Sequence, residues 1–302
     1  MTVEFRSGFA TLVGRPNAGK STLVNRLVGA KVAITSARPQ TTRTTVRGVR
    51  DTPTSQLVLL DTPGLHRART PLGERTNQRA RAALPDVDVI GLVVDATAPV
   101  GRGDRYVADV VHDAGPPSIL VVNKTDVASP AVIAAQLAAA RDALGDFDAY
   151  VPCSARTGDN IDALAAELES RLSPGPRYYP PGTVTDQPET FVAAELVREQ
   201  LLRTAREELP HSIAVTVEEL DPDPDQPAGD PAVLRLLVDI RVERESQKGI
   251  VIGKGGATLK TAVSAARREL EGLLGTRVYL QTRVRVDRDW QRRPDALDRL
   301  GL

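Results

Sequence analysis

Gly14, Arg15, Pro16, Asn17, Ala18, Gly19, Lys20 and Ser21 carry the spacing G-x-x-x-x-G-K-S, a pattern suited to the capture of phosphate groups. The glycines let backbone N–H groups curl around phosphate oxygens at a helix N-terminus. Lys20 adds a point charge on the outer phosphates, and Ser21 offers a hydroxyl to Mg²⁺. Asp61, Thr62, Pro63, Gly64 and Leu65 follow the apolar run Leu57–Leu60. Asp61 at a strand end is placed to hold Mg²⁺ through a water, while the Gly64 N–H reaches towards a γ-phosphate. Between these motifs the polar stretch Ser36–Thr45 has no periodicity. Its threonines, Thr41 or Thr42 above all, are candidates to close over Mg²⁺, and Thr42 is taken with Ser21 and Asp61 as the metal set. Lys20, Thr42, Asp61 and Gly64 are the expected catalytic residues.

The base is selected elsewhere. Asn123, Lys124, Thr125 and Asp126 follow the apolar run Ile119–Val122, which puts them on a loop at the carboxyl end of a strand, where open α/β sheets bind ligands. The Asp126 carboxylate accepts hydrogen bonds, matching the ring N–H and exocyclic amine of guanine, whereas adenine presents an unprotonated ring nitrogen there. The predicted ligand is therefore GTP or GDP. Asn123 is expected to tie loops together, Lys124 to lie over the base, and Ser154–Ala155 to give a backbone N–H to the guanine carbonyl. Neither Leu65 nor His66 supplies a glutamine to orient water. Faster hydrolysis is left to a monovalent cation such as K⁺ beside the phosphate loop, with Asn17 as candidate ligand, or to an external partner.

A second chemistry lies further along. Gly253, Lys254, Gly255 and Gly256 form a G-x-x-G loop before a helical stripe at Leu259 and Val263, the arrangement with which KH domains clamp a nucleic-acid backbone. From Arg244 to Arg293 twelve cations, Lys248, Lys254 and Lys260 among them, face five acids. A final strand carries Arg277, Tyr279, Gln281, Arg283 and Arg285 on one face, a basic surface suited to single-stranded RNA. Over the whole chain 39 basic residues balance 39 acidic ones, so any basic surface is local.

Short apolar runs alternating with helical patterns such as Ser21–Val28, Ala131–Leu144 and Ile161–Leu172 predict an α/β domain with a mostly parallel sheet over residues 1–173. The proline-rich stretch 174–185 reads as a linker. Residues 186–302 read as a smaller α+β domain in the order helix, strand, strand, helix, strand. It opens on an Asp186–Glu189 capping box, its first helix runs to about Leu209, an acidic, proline-rich insertion covers Asp221–Pro231, and it closes on a basic C-terminal tail. The lone Cys153 excludes a disulfide framework. Apolar runs fall short of the ~18 residues that span a bilayer, and the N-terminal stretch has no apolar leader, so the chain reads as cytoplasmic.

GRPNAGKS, QTTR (Gln40–Arg43), DTPG, NKTD, the Ser154–Ala155 loop, VTDQPE (Val184–Glu189), ERESQKGIVIGKGG (Glu243–Gly256) and the closing VDRDWQRRPDALDRLGL together resemble the Era family of bacterial GTPases. The resemblance implies a P-loop GTPase domain followed by a type II KH domain, GTP hydrolysis with Mg²⁺, and binding to the 3′ region of 16S rRNA. It also implies a role in small-subunit assembly, no obligate protein partner and, for some members, peripheral membrane contact. The rivals are an assembly factor with a mainly structural nucleotide site and a tRNA-modification GTPase. The latter would carry further catalytic machinery after Leu172.

Overall fold

The computed structural model describes residues 4–36, 41–66, 68, 70–204, 212–221 and 233–302. Gln40 and most of the insertion at Asp221–Pro231 lie outside them. The chain divides into two compact units, one ending at Asp186 and one comprising Gln187–Leu302 together with Thr70–Leu72.

In the first unit β1 (Arg6–Gly14), β3 (Ser55–Asp61), β4 (Val89–Asp95), β5 (Ser118–Asn123) and β6 (Ala149–Pro152) are parallel, and β2 (Val46–Asp51) runs antiparallel to β3 on the edge. Their order is β2-β3-β1-β4-β5-β6. The apolar runs bury both faces. Val89 and Val93 of β4 join Leu23 and Leu27 of α1 (Lys20–Val28) and Leu164 and Leu168 of α5 (Ile161–Glu169). Ile90, Leu92 and Val94 pack on the other face with Val107 and Val111 of α3 (Arg102–Ala114) and Ala140 and Leu144 of α4 (Pro130–Leu144). Strands that are apolar on both sides are what a parallel sheet between two helical layers requires. Because β1 has β3 on one side and β4 on the other, the chain reverses its winding there, and the loop after Gly14 opens at that switch point.

Three features differ from expectation. The helix α2 (Pro71–Ala82) has no apolar stripe legible in PLGERTNQRARA. The helix α5 ends three residues before Leu172. The third difference is the stretch expected as a linker, which is bound along the first unit. Ser173–Pro174 forms β7, antiparallel to β1. Gln56, fully buried in β3, then accepts hydrogen bonds at Oε1 from the N–H groups of Tyr178 (2.8 Å) and Tyr179 (2.9 Å) and donates from Nε2 to the Tyr179 carbonyl (3.0 Å). The Tyr178 ring stacks on Phe9. Further on, the Val49 N–H donates to the Val184 carbonyl at 2.9 Å, adding to the outer edge of β2. Prolines strip this stretch of donors, so a buried side-chain amide takes over part of the pairing a strand would make.

Asp186 closes the same strap. Its carboxylate accepts from Arg47 (2.8 Å) and the Tyr179 hydroxyl (2.9 Å). That helix, α6 (Glu189–Thr204), begins on the Pro188 carbonyl, and 205–209, expected to continue it, lie outside the described residues.

In the second unit β8 (Ala214–Glu219) is antiparallel to β9 (Val233–Val242), which is parallel to β10 (Arg277–Val286). An unexpected short helix, α7 (Glu245–Ile252), precedes the glycine loop, and Gln247 Oε1 caps its start by accepting from the N–H groups of Glu243 and Arg244. Leu236, Val238, Ile240, Val242 and Val278 form one face of the sheet, covered by Leu196, Val197 and Leu201 of α6 and by Ala262, Ala266 and Leu270 of α8 (Ala257–Leu274). The C-terminal residues are not a loose tail. Trp290 is fully buried, donates from Nε1 to the Ser212 carbonyl (3.0 Å), and clusters with Ala214, Leu302 and Leu297 of α9 (Pro294–Arg299).

Candidate nucleotide and nucleic-acid sites

The phosphate loop links the last residue of β1 to the first of α1. Lys20 is buried, and its ammonium donates to the carbonyls of Gly14 (3.1 Å) and Arg15 (2.9 Å). Burial brings its pKa down from 10.5 to about 8, against the opposing pull of Asp61. Gly19 has φ 98°, and a Cβ there would collide with the Asn123 amide, so only glycine fits. The Arg15 side chain turns away from the loop to Asp104 (3.1 Å) at the start of α3.

Ser21, Thr42 and Asp61 converge. Asp61 Oδ2 accepts from Ser21 Oγ at 2.8 Å and from Thr42 Oγ1 at 3.0 Å, and the two hydroxyls are 3.0 Å apart. Of the two threonines considered, Thr42 is the one in this cluster. Two hydroxyls and a buried carboxylate are an all-oxygen donor set that fits a small hard cation such as Mg²⁺. Gly64 passes so close that a Cβ there would lie 3.1 Å from Lys20 Nζ. Thr62 Oγ1 donates back to the Leu12 carbonyl at 3.4 Å. Leu65, expected among the ligand-facing residues, instead turns its side chain into the core with Val13 and Leu84, because the loop re-enters the domain there.

Asn123 joins loops on both sides, donating to the Ala18 carbonyl (2.8 Å) and accepting from the Ala155 N–H (3.0 Å). The Thr125 N–H donates to the Cys153 carbonyl (3.2 Å). Lys124 pairs with Asp95 at 2.5 Å; burial would raise the Asp95 pKa, but bonds from Lys124 and Thr97 hold it below the usual carboxylate range. Asp126 accepts from Ser154 Oγ at 2.6 Å and is ion-paired with Arg156. The Ser154 bond first, and then Arg156, keep its carboxyl ionised to lower pH than usual. A backbone N–H from Ser154–Ala155 is expected at the base; in this structure the Ser154 N–H donates to the Asp159 carbonyl and the Ala155 N–H to Asn123. The Ser154 contribution is its hydroxyl, which orients the Asp126 carboxylate. Arg156 belongs to none of the motifs; its signal in the sequence is a cation placed directly after Ser154–Ala155.

In the second unit Gly253, Gly255 and Gly256 have φ of 73°, 59° and 79°, left-handed conformations that glycine adopts without strain. Beside this loop, α8 and β10 enclose a cleft of about 330 Å³ lined by Leu259, Lys260, Val263, Arg267, Tyr279 and Leu280. Lys248 stands on α7 and Lys254 on the glycine loop itself. Arg283 and Arg285, expected in the same RNA set, lie elsewhere, on the open face of the sheet beside Asp239.

A family model described as 50S ribosome-binding GTPase matches residues 9–124, and a KH-domain model matches residues 208–291. GTPase Era of Mycobacterium avium (strain 104) is 50% identical over 305 residues, covering 99% of each chain. GTPase Era of Mycobacterium tuberculosis (strain H37Rv) is 49% identical over 302 residues with the same coverage. The chain belongs to the Era family of GTPases.

Two solved Era structures share its fold from end to end. Era in complex with MgGDPNP and nucleotides 1506–1542 of 16S ribosomal RNA superposes with a TM-score of 0.93 at 37% identity, covering 98% of this chain and 99% of that one. A variant of Aquifex aeolicus Era bound to GDP and AlF₄⁻ gives 0.92 at 36%, with the same coverage. This Era-family GTPase therefore joins a guanine-nucleotide domain to a KH domain. Among its described residues no helix is long and apolar enough to cross a membrane.

Proposed function

We propose that this chain is a GTP-driven RNA-binding switch that grips the 3′ region of 16S rRNA and assists assembly of the small ribosomal subunit. The observation that carries the reading is the joint presence, in one chain, of the Ser21–Thr42–Asp61 cluster beside Lys20 and of a glycine-loop cleft on a KH fold. The Era complex with MgGDPNP and 16S rRNA nucleotides supports that pairing of ligands. The 50S description belongs to a model covering only part of the first unit, so it weighs less than a likeness running the length of the chain. The place of action on this reading is the cytoplasm, and any membrane attachment is peripheral.

Ser21, Thr42 and Asp61 would hold Mg²⁺, which supplies charge neutralisation on the phosphates. Lys20 and the Gly64 N–H would stabilise the charge that spreads over γ-phosphate oxygens as water attacks in line. Asp126, pre-ordered by Ser154, selects guanine. His66 orders its own loop, with Nδ1 3.0 Å from the Gly64 carbonyl and its backbone pinned by Asn77. With no glutamine after Gly64, we assign acceleration to K⁺ beside the phosphate loop, with Asn17, whose φ is 66°, as its protein ligand.

Multiple-turnover phosphate release tests this. GTP should turn over several-fold faster in K⁺ than in Na⁺, Asn17→Ala should erase that difference, and ATP should be inert. A single turnover under every condition would favour a structural nucleotide site. Equal rates in both salts would remove K⁺ from the mechanism.

A further inference from the structure

One face of the three-stranded sheet packs on α6 and α8; the other is covered by Trp290 and Leu297 only at Ala214 of β8, opposite Arg241, and along β10 it carries Arg277, Tyr279, Gln281, Arg283 and Arg285, all exposed, beside Arg235 and Arg241 of β9. Register places Glu218 of β8 and Asp239 of β9 on the same face. Among the described residues of these strands, five arginines thus stand against two carboxylates. Asp239 is buried and is engaged first by Arg241, at 3.0 Å, while Arg285 and Arg283 approach only to 3.3 and 3.8 Å. Asp287, just past the end of β10, is paired with Arg293 and comes no nearer to Arg241 than 3.9 Å. One carboxylate cannot neutralise three guanidinium groups, and the side chains of Arg283 and Arg285 remain 45% and 49% exposed.

Tyr279 connects this face to the cleft. It lines the cleft beside Arg267, yet by register it stands with the arginines, and the Arg235 guanidinium lies 5.6 Å from its ring centre. A half-exposed aromatic at an edge strand offers a base a stacking surface where a chain would turn from one surface to the other. Alternate residues of a strand are about 6.8 Å apart, close to the reach between successive phosphates of an extended strand. Arg283 and Arg285, with Gln281 and Arg277 further back on the same face, therefore form a row matched to a backbone rather than to one anion.

The geometry points to this open face as a second RNA-contacting surface, one that takes the phosphate backbone of the single strand where it leaves the cleft at Tyr279. The inference rests on the cleft being the primary RNA site. A lipid surface is the less suitable occupant, because the exposed positions of β10 on this face are arginine, tyrosine and glutamine, the aliphatic Val233 and Leu237 of β9 beside them are half-buried, and stable membrane attachment takes an apolar anchor besides basic charge.

Full-length protein and two RNAs from the 3′ end of 16S rRNA test it: one of about five nucleotides, enough for a glycine-loop clamp, and one of about twelve that extends beyond it. Arg283→Gln/Arg285→Gln should bind the short RNA within twofold of the wild type. It should bind the long one about tenfold more weakly, with the slope of log K against log salt reduced by about 1.4, or about 0.7 for each phosphate that is no longer neutralised. Arg277→Glu, remote from Asp239, should also weaken only the long RNA, and it keeps the test decisive if the double variant melts early. Unchanged long-RNA affinity and slope overturn the proposal, as does an equal weakening on both lengths. So does loss of binding to phosphatidylglycerol vesicles with RNA binding intact. Lys254→Glu should weaken both RNAs; if it changes neither, the cleft reading fails, whereas the open-face reading is decided by the long RNA alone.

Discussion

Lys20 holds its charge where water hardly reaches, and the consequence is a pH dependence with two opposite signs. Its folded-state pKa of about 8 lies below the ordinary 10.5, so between those values the unfolded chain binds the proton that the folded free protein has released. This group therefore adds stability to the free protein as pH rises from 8 to 10.5, by at most ~3 kcal/mol. On the proposed role of Lys20, nucleotide binding draws on the ammonium, whose pKa the phosphates would raise. Affinity for GDP should thus be level up to about pH 8 and then fall, approaching tenfold per pH unit, which a fluorescent-nucleotide titration from about pH 7 to 9.5 reads directly. A flat profile would mean that Lys20 stays protonated in the free protein.

At the scale of elements, the strap over 174–186 depends on Gln56. Replacing it with alanine leaves two N–H groups and a carbonyl of Tyr178 and Tyr179 without their buried partner, a cost of about 1–3 kcal/mol. Gln56→Ala should speed protease cleavage within 176–186 at least about tenfold while GDP binding stays within twofold; unchanged cleavage would show that the stacked Tyr178 and the Val184 pairing suffice. Nothing in the sequence marks Gln56 as the holder of the strap, because Tyr178 and Tyr179 lie more than 120 residues away. Separation along the chain likewise hides the hold of Trp290 on Ser212. What was legible was local: Leu57–Leu60 and Val89–Val94 are apolar on both sides of a strand, and Gly19 and Gly253 stand where backbone geometry excludes a side chain. The helix α2, nearly all polar, carries no periodic signal, and α7 is only eight residues with a glycine inside. Asn123 and Asp126 were readable as types, but the hydroxyl and guanidinium that orient Asp126 come from the loop at 154–156, which only folding brings near.

For the whole molecule, a net charge of zero means that RNA binding draws on local arginine and lysine rows, and a switch requires nucleotide and RNA to influence each other. Linkage makes that influence reciprocal: if a GTP analogue raises RNA affinity over GDP by some factor, RNA must raise the preference for the analogue over GDP by the same factor, typically ~5- to 150-fold for a coupling of about 1–3 kcal/mol. Thr42 is placed to sense the difference, since its hydroxyl reaches Asp61 and Ser21 at 3.0 Å from a loop outside the nucleotide-binding helix. Thr42→Ala should leave GDP binding within twofold and bring both ratios close to one, measured by RNA titration in each nucleotide state and by nucleotide titration with and without RNA. If wild-type protein holds RNA equally with the analogue and with GDP, the two halves act independently and the chain is not a switch.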